Sequence, residues 1–307
     1  MEILNYFEFQ LNKRKNILKN EQVKLPQLVT GKTVICGIIG DPVEHSMSPI
    51  IQNAAFRALG LDYFYIPFRV NKEELPSAIQ GIRALNIHGI NVTIPHKASV
   101  LSLLDRVDNL ASTIGAVNTI LNSNGFLTGY NTDAEGFIRP LIEKGISITG
   151  KKVLIIGAGG AAKAIAFTLV EHGALITIIN RSREKANVLA KQLGIQFTVN
   201  VETLVLNNDN LENALSSAYM LVNATSIGMV TNESPVPSQF LRNDLFVYDI
   251  VYNPLETRLL REAKATGASI MRGADMLAWQ GGLAFEKWTG HKAPIELMKS
   301  EIYRKLT

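Results

Sequence analysis

The sequence has a single cysteine among its 307 residues, Cys36, within the apolar segment TVICGIIG. An internal disulfide is therefore excluded, and a thiol in such a segment is expected to be buried and structural. No stretch of 18 uncharged apolar residues is present, and Glu2 and Glu8 stand where a signal peptide needs an apolar run. These absences predict a cytoplasmic protein that has no membrane partner.

Metal-ligand and nucleic-acid-binding patterns are also lacking. The five histidines show no ligand spacing: His45, His88, His96, His172 and His291. Basic residues are scattered apart from Lys13–Lys15, without interleaved aromatic residues, so no nucleic-acid partner and no metal site are predicted. The net charge of +4 fits ordinary solubility, and it also fits a field that favours anionic ligands such as a phosphorylated cofactor.

Apolar segments typical of strands alternate with helical segments along most of the chain. With 47% hydrophobic and 19% charged residues, a chain of this length can bury the cores of two domains. The alternation predicts an α/β fold with largely parallel sheets covered on both faces. The predicted strands are 33–40, 62–70, 89–95, 153–159, 174–180, 195–200, 219–225 and 245–252. The predicted helices are 5–19, 48–60, 72–86, 161–173, 183–194, 255–267, 274–289 and 295–306.

The segment VLIIGAGGAAKA (153–164) indicates a dinucleotide site, because a glycine turn joins a strand to a helix. Gly157 permits the tight turn, Gly159 lets the backbone approach a pyrophosphate, and Ala162 still allows close packing of helix on strand. The N-terminus of the helix adds unpaired N–H groups and the positive end of its dipole.

The end of the next strand indicates which cofactor is bound. An NAD site normally has Asp or Glu at this position, whereas here Asn180 is followed by Arg181, Ser182 and Lys185. Arg181 and Lys185 can neutralise a 2′-phosphate, so the sequence favours NADP(H). The alternative is that these are solvated charges at the start of a helix.

Two further motifs supply groups for proton transfer. Lys97 ends NVTIPHK (91–97), Asp133 lies in GYNTDAEGF (129–137), and GAVNT (115–119) lies between them. A lysine beside an aspartate can exchange a proton with substrate, which next to a nicotinamide site indicates an alcohol/ketone oxidoreductase. Alternatively, Lys97 is a solvated lysine in a helical stretch from 97 to 107, and Asp133 caps the helix that follows it.

The loop DPVEHSMSP (41–49) carries two hydroxyls that could hold a carboxylate. Ser46 and Ser48 are two residues apart, so both face one side if the loop is extended. The alternative is that Ser48 is a helix N-cap, with Pro49 at the first helical position.

Taken together, the motifs HS-x-SP, NVT-x-P-x-K, GAVNT, G-x-NTD, GAGGA, NRS and MLAWQ occur in one order between about residues 33 and 290. This series resembles the shikimate dehydrogenases, which reduce 3-dehydroshikimate to shikimate with NADPH on the way to chorismate and the aromatic amino acids. The resemblance implies an N-terminal substrate domain, 1–132 plus 273–307 with 1–30 as an extension, and a Rossmann NADP domain at 133–272. The C-terminal helices would return to the first domain.

The resemblance also implies residue roles. Lys97 would be the catalytic acid/base with Asp133 beside it, while Ser46 and Ser48 would bind the substrate carboxylate. The ring hydroxyls or pocket lining would fall to Thr93, Asn118, Asp133, Tyr252 and Gln280. The pyrophosphate would lie on Gly157, Ala158, Gly159, Gly160 and Ala161, the ribose phosphate on Asn180, Arg181, Ser182 and Lys185, and the nicotinamide end on Ile250 and Gly273. Singly, Thr93 could be ordinary strand, Asn118 a turn cap, Tyr252 core and Gln280 an exposed helix residue.

Two positions depart from the family pattern. His96 stands where many members carry phenylalanine and is either a packing variant or a proton relay; Ala134 stands where glycine is usual, and its methyl could trim the pocket. Two alternative functions stay open: a quinate/shikimate dehydrogenase that works with NAD, and a ligand-sensing relative without turnover. The sequence also leaves the oligomeric state open, with a homodimer as one arrangement.

Overall fold

In the computed structural model, which describes residues 29–307, the strands form two six-stranded sheets. Both sheets belong to the unit Val34–Thr307. The helix predicted at 5–19 lies outside the described residues, as does nearly all of the proposed extension 1–30. No helix among residues 29–307 combines the length and the apolarity that crossing a membrane requires.

The first sheet is mixed, with strand order β2-β1-β3-β5-β6-β4. Its strands are β1 (Val34–Gly40), β2 (Tyr63–Arg69), β3 (Gly89–Val92), β4 (Arg106–Val107), β5 (Thr119–Ser123) and β6 (Phe126–Tyr130). β1 runs parallel to β2 and β3, and β4 to β6, while β5 is antiparallel to both β3 and β6. The helices of this part are α1 (Ser48–Ala58), α2 (Leu75–Ala84) and α3 (Asn109–Ile114).

The predicted strands and helices between residues 33 and 95 are confirmed, but the helical stretch predicted from 97 to 107 is wrong. That segment forms turns, a short 3-10 helix at Leu101–Leu103 and the two-residue strand β4. Arg83 holds this irregular segment by donating to the carbonyl of Leu103 and to the carboxylate of Asp105. The backbone is thus anchored from α2 instead of by helical hydrogen bonds.

The second sheet is entirely parallel, in the order β12-β11-β10-β7-β8-β9. After α4 (Asp133–Glu143) come β7 (Lys152–Ile156), α5 (Gly160–Glu171), β8 (Leu175–Asn180), α6 (Arg183–Phe197), β9 (Glu202–Val205), α7 (Asn208–Ser216), β10 (Met220–Asn223), β11 (Phe246–Asp249), α8 (Arg258–Ala265) and β12 (Ser269–Arg272). The strand order reverses between β7 and β10, which in a doubly wound fold places the ligand crevice at the carboxyl ends of these two strands.

One strand predicted for this half is wrong. Residues 195–197 continue α6, and the helix ends at Thr198, whose φ of 55° is left-handed. The carbonyl of Gly194 accepts the N–H of Thr198, so the last turn of the helix is completed by a hydrogen bond before β9 begins at Glu202. The third strand of the sheet therefore lies some residues later than its apolar pattern indicated.

The last two helices, α9 (Gly273–Thr289) and α10 (Ile295–Leu306), return to the first sheet as predicted. Phe285 and Trp288 join the core around Cys36, and the indole N–H of Trp288 donates to the carbonyl of Ile120 on β5 at 2.9 Å. Cys36 is fully buried, and burial raises the pKa of its thiol, in keeping with a structural cysteine. α4 packs against both α9 and α5, so a domain boundary at residue 133 stays a prediction.

Candidate active site

Lys97 and Asp133 meet, although 36 residues separate them in the chain. The ammonium of Lys97 donates to Asp133 Oδ2 at 2.6 Å, and the two side chains are only 17% and 6% exposed. Lys97 lies in the turn that follows β3, where its carbonyl accepts the N–H of Val117 at 2.8 Å. The alternative of a solvated lysine on a helix is therefore wrong.

The carboxylate of Asp133 does not cap the helix that it begins. Asn131 Oδ1 instead accepts the N–H groups of Asp133 and Ala134, at 3.0 and 3.2 Å. The second carboxylate oxygen, Oδ1, accepts a hydrogen bond from Asn118 Nδ2 at 2.9 Å. Asp133 thus receives one donor on each oxygen, which orients it toward Lys97.

Asn118 is a buried member of this site and not an isolated turn cap. Its Nδ2 also donates to Thr132 Oγ1 at 2.9 Å, and its Oδ1 accepts the N–H of Thr132 at 2.7 Å. Gln280 on α9 completes the group, because its Oε1 lies 3.5 Å from Asn118 Nδ2. Gly136 permits this approach: a Cβ there would lie 2.7 Å from Gln280 Cβ. Gln280 is partly buried, so its reading as an exposed helix residue is wrong.

A buried polar chain lies behind Asn118, and the sequence reasoning missed it. Tyr65 donates to Asn91 Oδ1 at 2.7 Å, and Asn91 Nδ2 donates to Thr119 Oγ1 at 3.1 Å. The Thr119 hydroxyl in turn donates to Asn118 Oδ1 at 3.1 Å. The available signal was Asn91 itself, since an asparagine in the apolar strand GINV needs buried partners.

The two serines lie at the start of α1. The helix begins at Ser48, with Met47 rather than Ser48 as its N-cap residue, so the N-cap alternative for Ser48 is wrong. Ser46 Oγ accepts the Ser48 N–H at 3.2 Å. Burial raises the pKa of Tyr65 well above its usual value, while a hydrogen bond with the Ser48 side chain lowers it. Ser48 therefore lies beside Tyr65, the first residue of the polar chain that leads to Asp133.

Tyr252 and Thr93 occupy neighbouring loops. Burial raises the pKa of the Tyr252 phenol, and a hydrogen bond with the backbone of Met47 lowers it. Tyr252 therefore lies beside the loop that carries Ser46 and Ser48. Thr93 follows β3, donates its N–H to the carbonyl of Ile39 at 3.0 Å and is partly buried. A Cβ on Gly40 would lie 2.3 Å from Thr93 Cγ2, so a glycine on β1 makes room for this threonine.

The glycine turn has the form that a dinucleotide needs. Gly157 has a φ of 119°, and a Cβ there would lie 2.9 Å from the carbonyl oxygen of Ala224. A Cβ on Gly159 would meet no atom of residues 29–307 within 4 Å, and no side chain in that range caps the helix that follows. The N-terminus of α5 is therefore open to a pyrophosphate, and the partly buried Ala158 and Ala161 flank it.

The loop after β8 fits the ribose end of NADP(H). Arg181 and Lys185 are exposed and form no ion pair with another residue of the described range 29–307. Asn180 Nδ2 donates to the Ser182 carbonyl at 2.8 Å, which shapes the turn. Ser182 donates its hydroxyl to Glu184 at 2.8 Å, a neighbour that the sequence reasoning did not consider.

Ile250 and Gly273 lie against each other at the carboxyl ends of β11 and β12 in the second sheet. A Cβ on Gly273 would lie 2.3 Å from the carbonyl oxygen of Ile250, so only glycine allows α9 to begin against this loop. The N–H of Ile250 donates to the carbonyl of Asn223 at 3.1 Å. The two residues are brought together, as their proposed place at the nicotinamide end requires.

The two departures from the family pattern have structural roles. His96 is fully buried, and its Nε2 donates to the carbonyl of Val70 at 2.7 Å, while its Nδ1 has no partner within residues 29–307. It makes no hydrogen bond to Lys97 or Asp133 in that range, so the packing interpretation is favoured over a proton relay. Ala134 is buried in the core beneath the second sheet, so its methyl fills that core instead of trimming the pocket.

Across residues 29–307, no three histidine, cysteine or carboxylate side chains lie close enough together to hold a metal ion. The described site brings together an ammonium, a carboxylate, amides and hydroxyls. Such a set can hold a polyhydroxylated acid and exchange a proton with it. The glycine turn and the basic loop after β8 suit a phosphorylated dinucleotide.

Comparisons with known proteins agree with this geometry. Residues 38–120 match the shikimate dehydrogenase substrate-binding domain, 141–252 the shikimate/quinate 5-dehydrogenase family and 273–303 the shikimate 5′-dehydrogenase C-terminal domain. A shikimate dehydrogenase (NADP⁺) of Carboxydothermus hydrogenoformans is 46% identical over 277 residues, which cover 89% of this chain and 98% of the relative.

Two solved structures extend the comparison. A shikimate dehydrogenase in complex with NADP⁺ superposes with a TM-score of 0.86 at 43% identity, covering 92% of this chain and 99% of the other. The Thermus thermophilus shikimate 5-dehydrogenase in complex with NADP(H) and shikimate has a TM-score of 0.80 at 39% identity, covering 89% and 99%. The paired sheets, the Lys97–Asp133 contact and these likenesses together show that the chain belongs to the shikimate dehydrogenase family.

Proposed function

We propose that this protein catalyses the reversible NADPH-dependent reduction of 3-dehydroshikimate to shikimate, in the pathway to aromatic amino acids. The observation that carries the proposal is the 2.6 Å contact between Lys97 and Asp133, set directly beside the first residue of α5. A Cβ on Gly160 would lie 3.5 Å from Lys97 Cδ, so the acid/base group adjoins the helix on which the pyrophosphate would lie.

Different residues of the chain bind the substrate and transfer the proton. Ser46 and Ser48 bind the substrate carboxylate, and Asn118, Asp133 and Gln280 hold ring hydroxyls, with Thr93 and Tyr252 lining the pocket. The reduced nicotinamide, when bound, supplies the hydride to the ring ketone. Lys97 gives a proton to the alkoxide oxygen that develops, and it takes that proton back in the reverse direction.

Asp133 supports Lys97 in this step. Its carboxylate accepts from the Lys97 ammonium and from Asn118, so one ammonium proton holds Lys97 in place and the others stay available to the substrate. Because the pair is largely shielded from water, its electrostatic interaction is stronger than that of a surface ion pair.

The cofactor residues follow the same proposal. Gly157 to Ala161 wrap the pyrophosphate, Arg181 and Lys185 pair with the 2′-phosphate, and Ile250 and Gly273 lie at the nicotinamide end. The substrate domain would comprise 1–132 and 273–307, and the NADP domain 133–272. A cytoplasmic location and a homodimer are further parts of the proposal.

A panel of substrates and cofactors on the purified protein tests the function. We expect NADPH to form from shikimate and NADP⁺, with kcat/KM for NADP⁺ well above that for NAD⁺ and for shikimate above that for quinate. A preference for quinate with NAD⁺ would indicate the quinate/shikimate dehydrogenase alternative. Binding of shikimate and NADP⁺ without any absorbance change at 340 nm would indicate the ligand-sensing alternative.

A further inference from the structure

A carboxyl group is fully buried at the end of β11. Asp249 is 0% exposed, and it forms no ion pair with any residue in the described range 29–307. It is satisfied by three hydrogen bonds instead. Its Oδ1 accepts from Asn223 Nδ2 at 2.9 Å and from the N–H of Val251 at 3.0 Å, while its Oδ2 accepts from the Thr257 hydroxyl at 2.6 Å.

Asn223 extends this network into the loop after β10. Its Nδ2 also donates to the carbonyl of Ile227 at 3.2 Å, and its Oδ1 accepts the N–H and the hydroxyl of Thr225 at 3.1 and 2.7 Å. Every hydrogen-bonding site of the amide is occupied, so its orientation is fixed. One buried carboxylate therefore determines the conformation of two loops, 223–228 and 249–257.

Both loops stand at the carboxyl edge of the second sheet, where the strand order reverses. Ala224 lies against the glycine turn, since its carbonyl oxygen would be 2.9 Å from a Cβ on Gly157. Ile250 lies against the start of α9, since its carbonyl oxygen would be 2.3 Å from a Cβ on Gly273. The loops held by Asp249 thus form the wall of the crevice between the glycine turn and α9.

We propose that Asp249 is a positioning residue, which holds this wall in place for the nicotinamide half of the cofactor. The inference rests on the proposed NADP(H) function. A carboxylate is needed because all three partners are donors, whereas an asparagine would turn its NH₂ group toward at least one of them. Leaving one buried donor unsatisfied shifts the loop that carries it, and either loop reaches the crevice.

The variant Asp249→Asn tests the proposal by separating the two ends of the cofactor. NADPH spans the crevice, whereas 2′,5′-ADP reaches only the glycine turn and the basic loop around Arg181. We expect the NADPH dissociation constant, measured by fluorescence titration, to rise about tenfold or more, from the loss of a hydrogen bond to a charged group. The affinity for 2′,5′-ADP, measured by calorimetry, should stay unchanged.

Asn122→Ala is the matched control. Asn122 is as deeply buried, donates to the carbonyls of Ile82 and Ile87 and accepts from Gly125, but it lies in the first sheet away from the crevice. Its loss should destabilise the fold and leave both ligand affinities unchanged. If Asp249→Asn does not fold, Thr257→Val removes a single bond to the same carboxylate and should weaken NADPH selectively, with Thr257→Ser restoring the affinity.

Equal weakening of NADPH and 2′,5′-ADP, or unchanged NADPH affinity in the folded Asp249 and Thr257 variants, would overturn the role of Asp249. A wild-type protein that binds neither ligand would overturn the proposed function as well. Because the wild type is titrated first, the two failures are distinguishable.

Discussion

Gly160 packs against the aliphatic stem of Lys97: a Cβ on the glycine would lie 3.5 Å from Lys97 Cδ and 3.6 Å from Lys97 Cβ. The glycine is the first residue of α5, on the second sheet, and the lysine follows β3 of the first. The proposed proton donor therefore lies directly against the proposed pyrophosphate helix. This contact fixes where the acid/base group lies relative to the cofactor crevice.

Lys97→Met should lower kcat by about 10²–10⁴-fold, the usual contribution of general acid/base assistance. Methionine keeps an unbranched stem that can still pack on Gly160, so folding and NADPH binding should be retained. Steady-state kinetics measure the loss of kcat, and a fluorescence titration measures whether NADPH binding is retained. Lys163→Met is the matched control, because Lys163 lies in α5 near Gly115 and outside the proposed chemistry. Near-normal turnover in Lys97→Met would contradict the mechanism.

Two glycines of the same turn should respond differently to substitution by alanine, one through the stability of the fold and the other through NADPH binding. Gly157→Ala places a Cβ at a φ of 119° and 2.9 Å from the Ala224 carbonyl, so the free energy of unfolding should fall by about 1–3 kcal/mol. The Cβ of Gly159→Ala would meet no atom of the described part of the chain within 4 Å, so stability should hold while NADPH binds more weakly, because the methyl occupies the approach to the pyrophosphate. Urea unfolding and NADPH titration of both variants check this, and a destabilised Gly159→Ala that binds normally would refute it.

Arg181→Ala should weaken NADPH binding by roughly ten- to hundredfold and leave NADH binding unchanged, because only NADPH carries the 2′-phosphate. The effect should diminish as salt concentration rises, since Arg181 is exposed. Arg183→Ala, two residues along and equally exposed, is the control for the general loss of positive charge. If both variants weaken NADH and NADPH alike, the residue does not read the phosphate.

His96→Phe should leave the pH profile of kcat unchanged. The His96 ring bonds the Val70 carbonyl and not the Lys97–Asp133 pair, so its removal takes away one structural hydrogen bond and no proton-transfer group. Some loss of stability is expected, because the Val70 carbonyl loses its donor. Rate measurements across a pH series test this, and a displaced or missing titration in His96→Phe would support the proton relay.

The sequence pattern was most informative where local chemistry determines structure. The glycine turn after β7, the helix that ends at Gly290 and the amphipathic α10 agree with their predictions, since each rests on turn conformation or periodicity. The hairpin of β5 and β6 was overlooked although Asn124 and Gly125, with φ of 55° and 90°, form the kind of turn that joins two such strands.

Structural features that depend on tertiary contacts could not be predicted from the local sequence pattern. The apolar residues around Ile195 suggested a strand, but Leu193 lies in the core of the second sheet and α6 runs on to Phe197. The chain from Tyr65 through Asn91 to Thr119 joins the strands β2, β3 and β5, so no local pattern reveals it. Where packing and buried hydrogen bonds determine the backbone conformation, they override the local secondary-structure propensity.

Asp249 should make the protein less stable as pH rises through mildly acidic values. Burial raises the pKa of this carboxyl to about 6, against the lowering effect of its hydrogen bonds with Thr257, Val251 and Asn223. The folded state therefore binds a proton more tightly than the unfolded chain, in which the carboxyl has its ordinary pKa of 3.8. The resulting stabilisation is fully present below the unfolded pKa and is lost as pH rises through the folded pKa.

Urea unfolding of the wild type and Asp249→Asn at matched pH values isolates this contribution, because the other titrating groups are shared. Between about pH 4.5 and pH 7, the wild type should lose about 2 kcal/mol of unfolding free energy relative to the variant. A difference that grows in the opposite direction would mean that the three donors stabilise the carboxylate more than burial destabilises it, and that the folded pKa lies below its usual value.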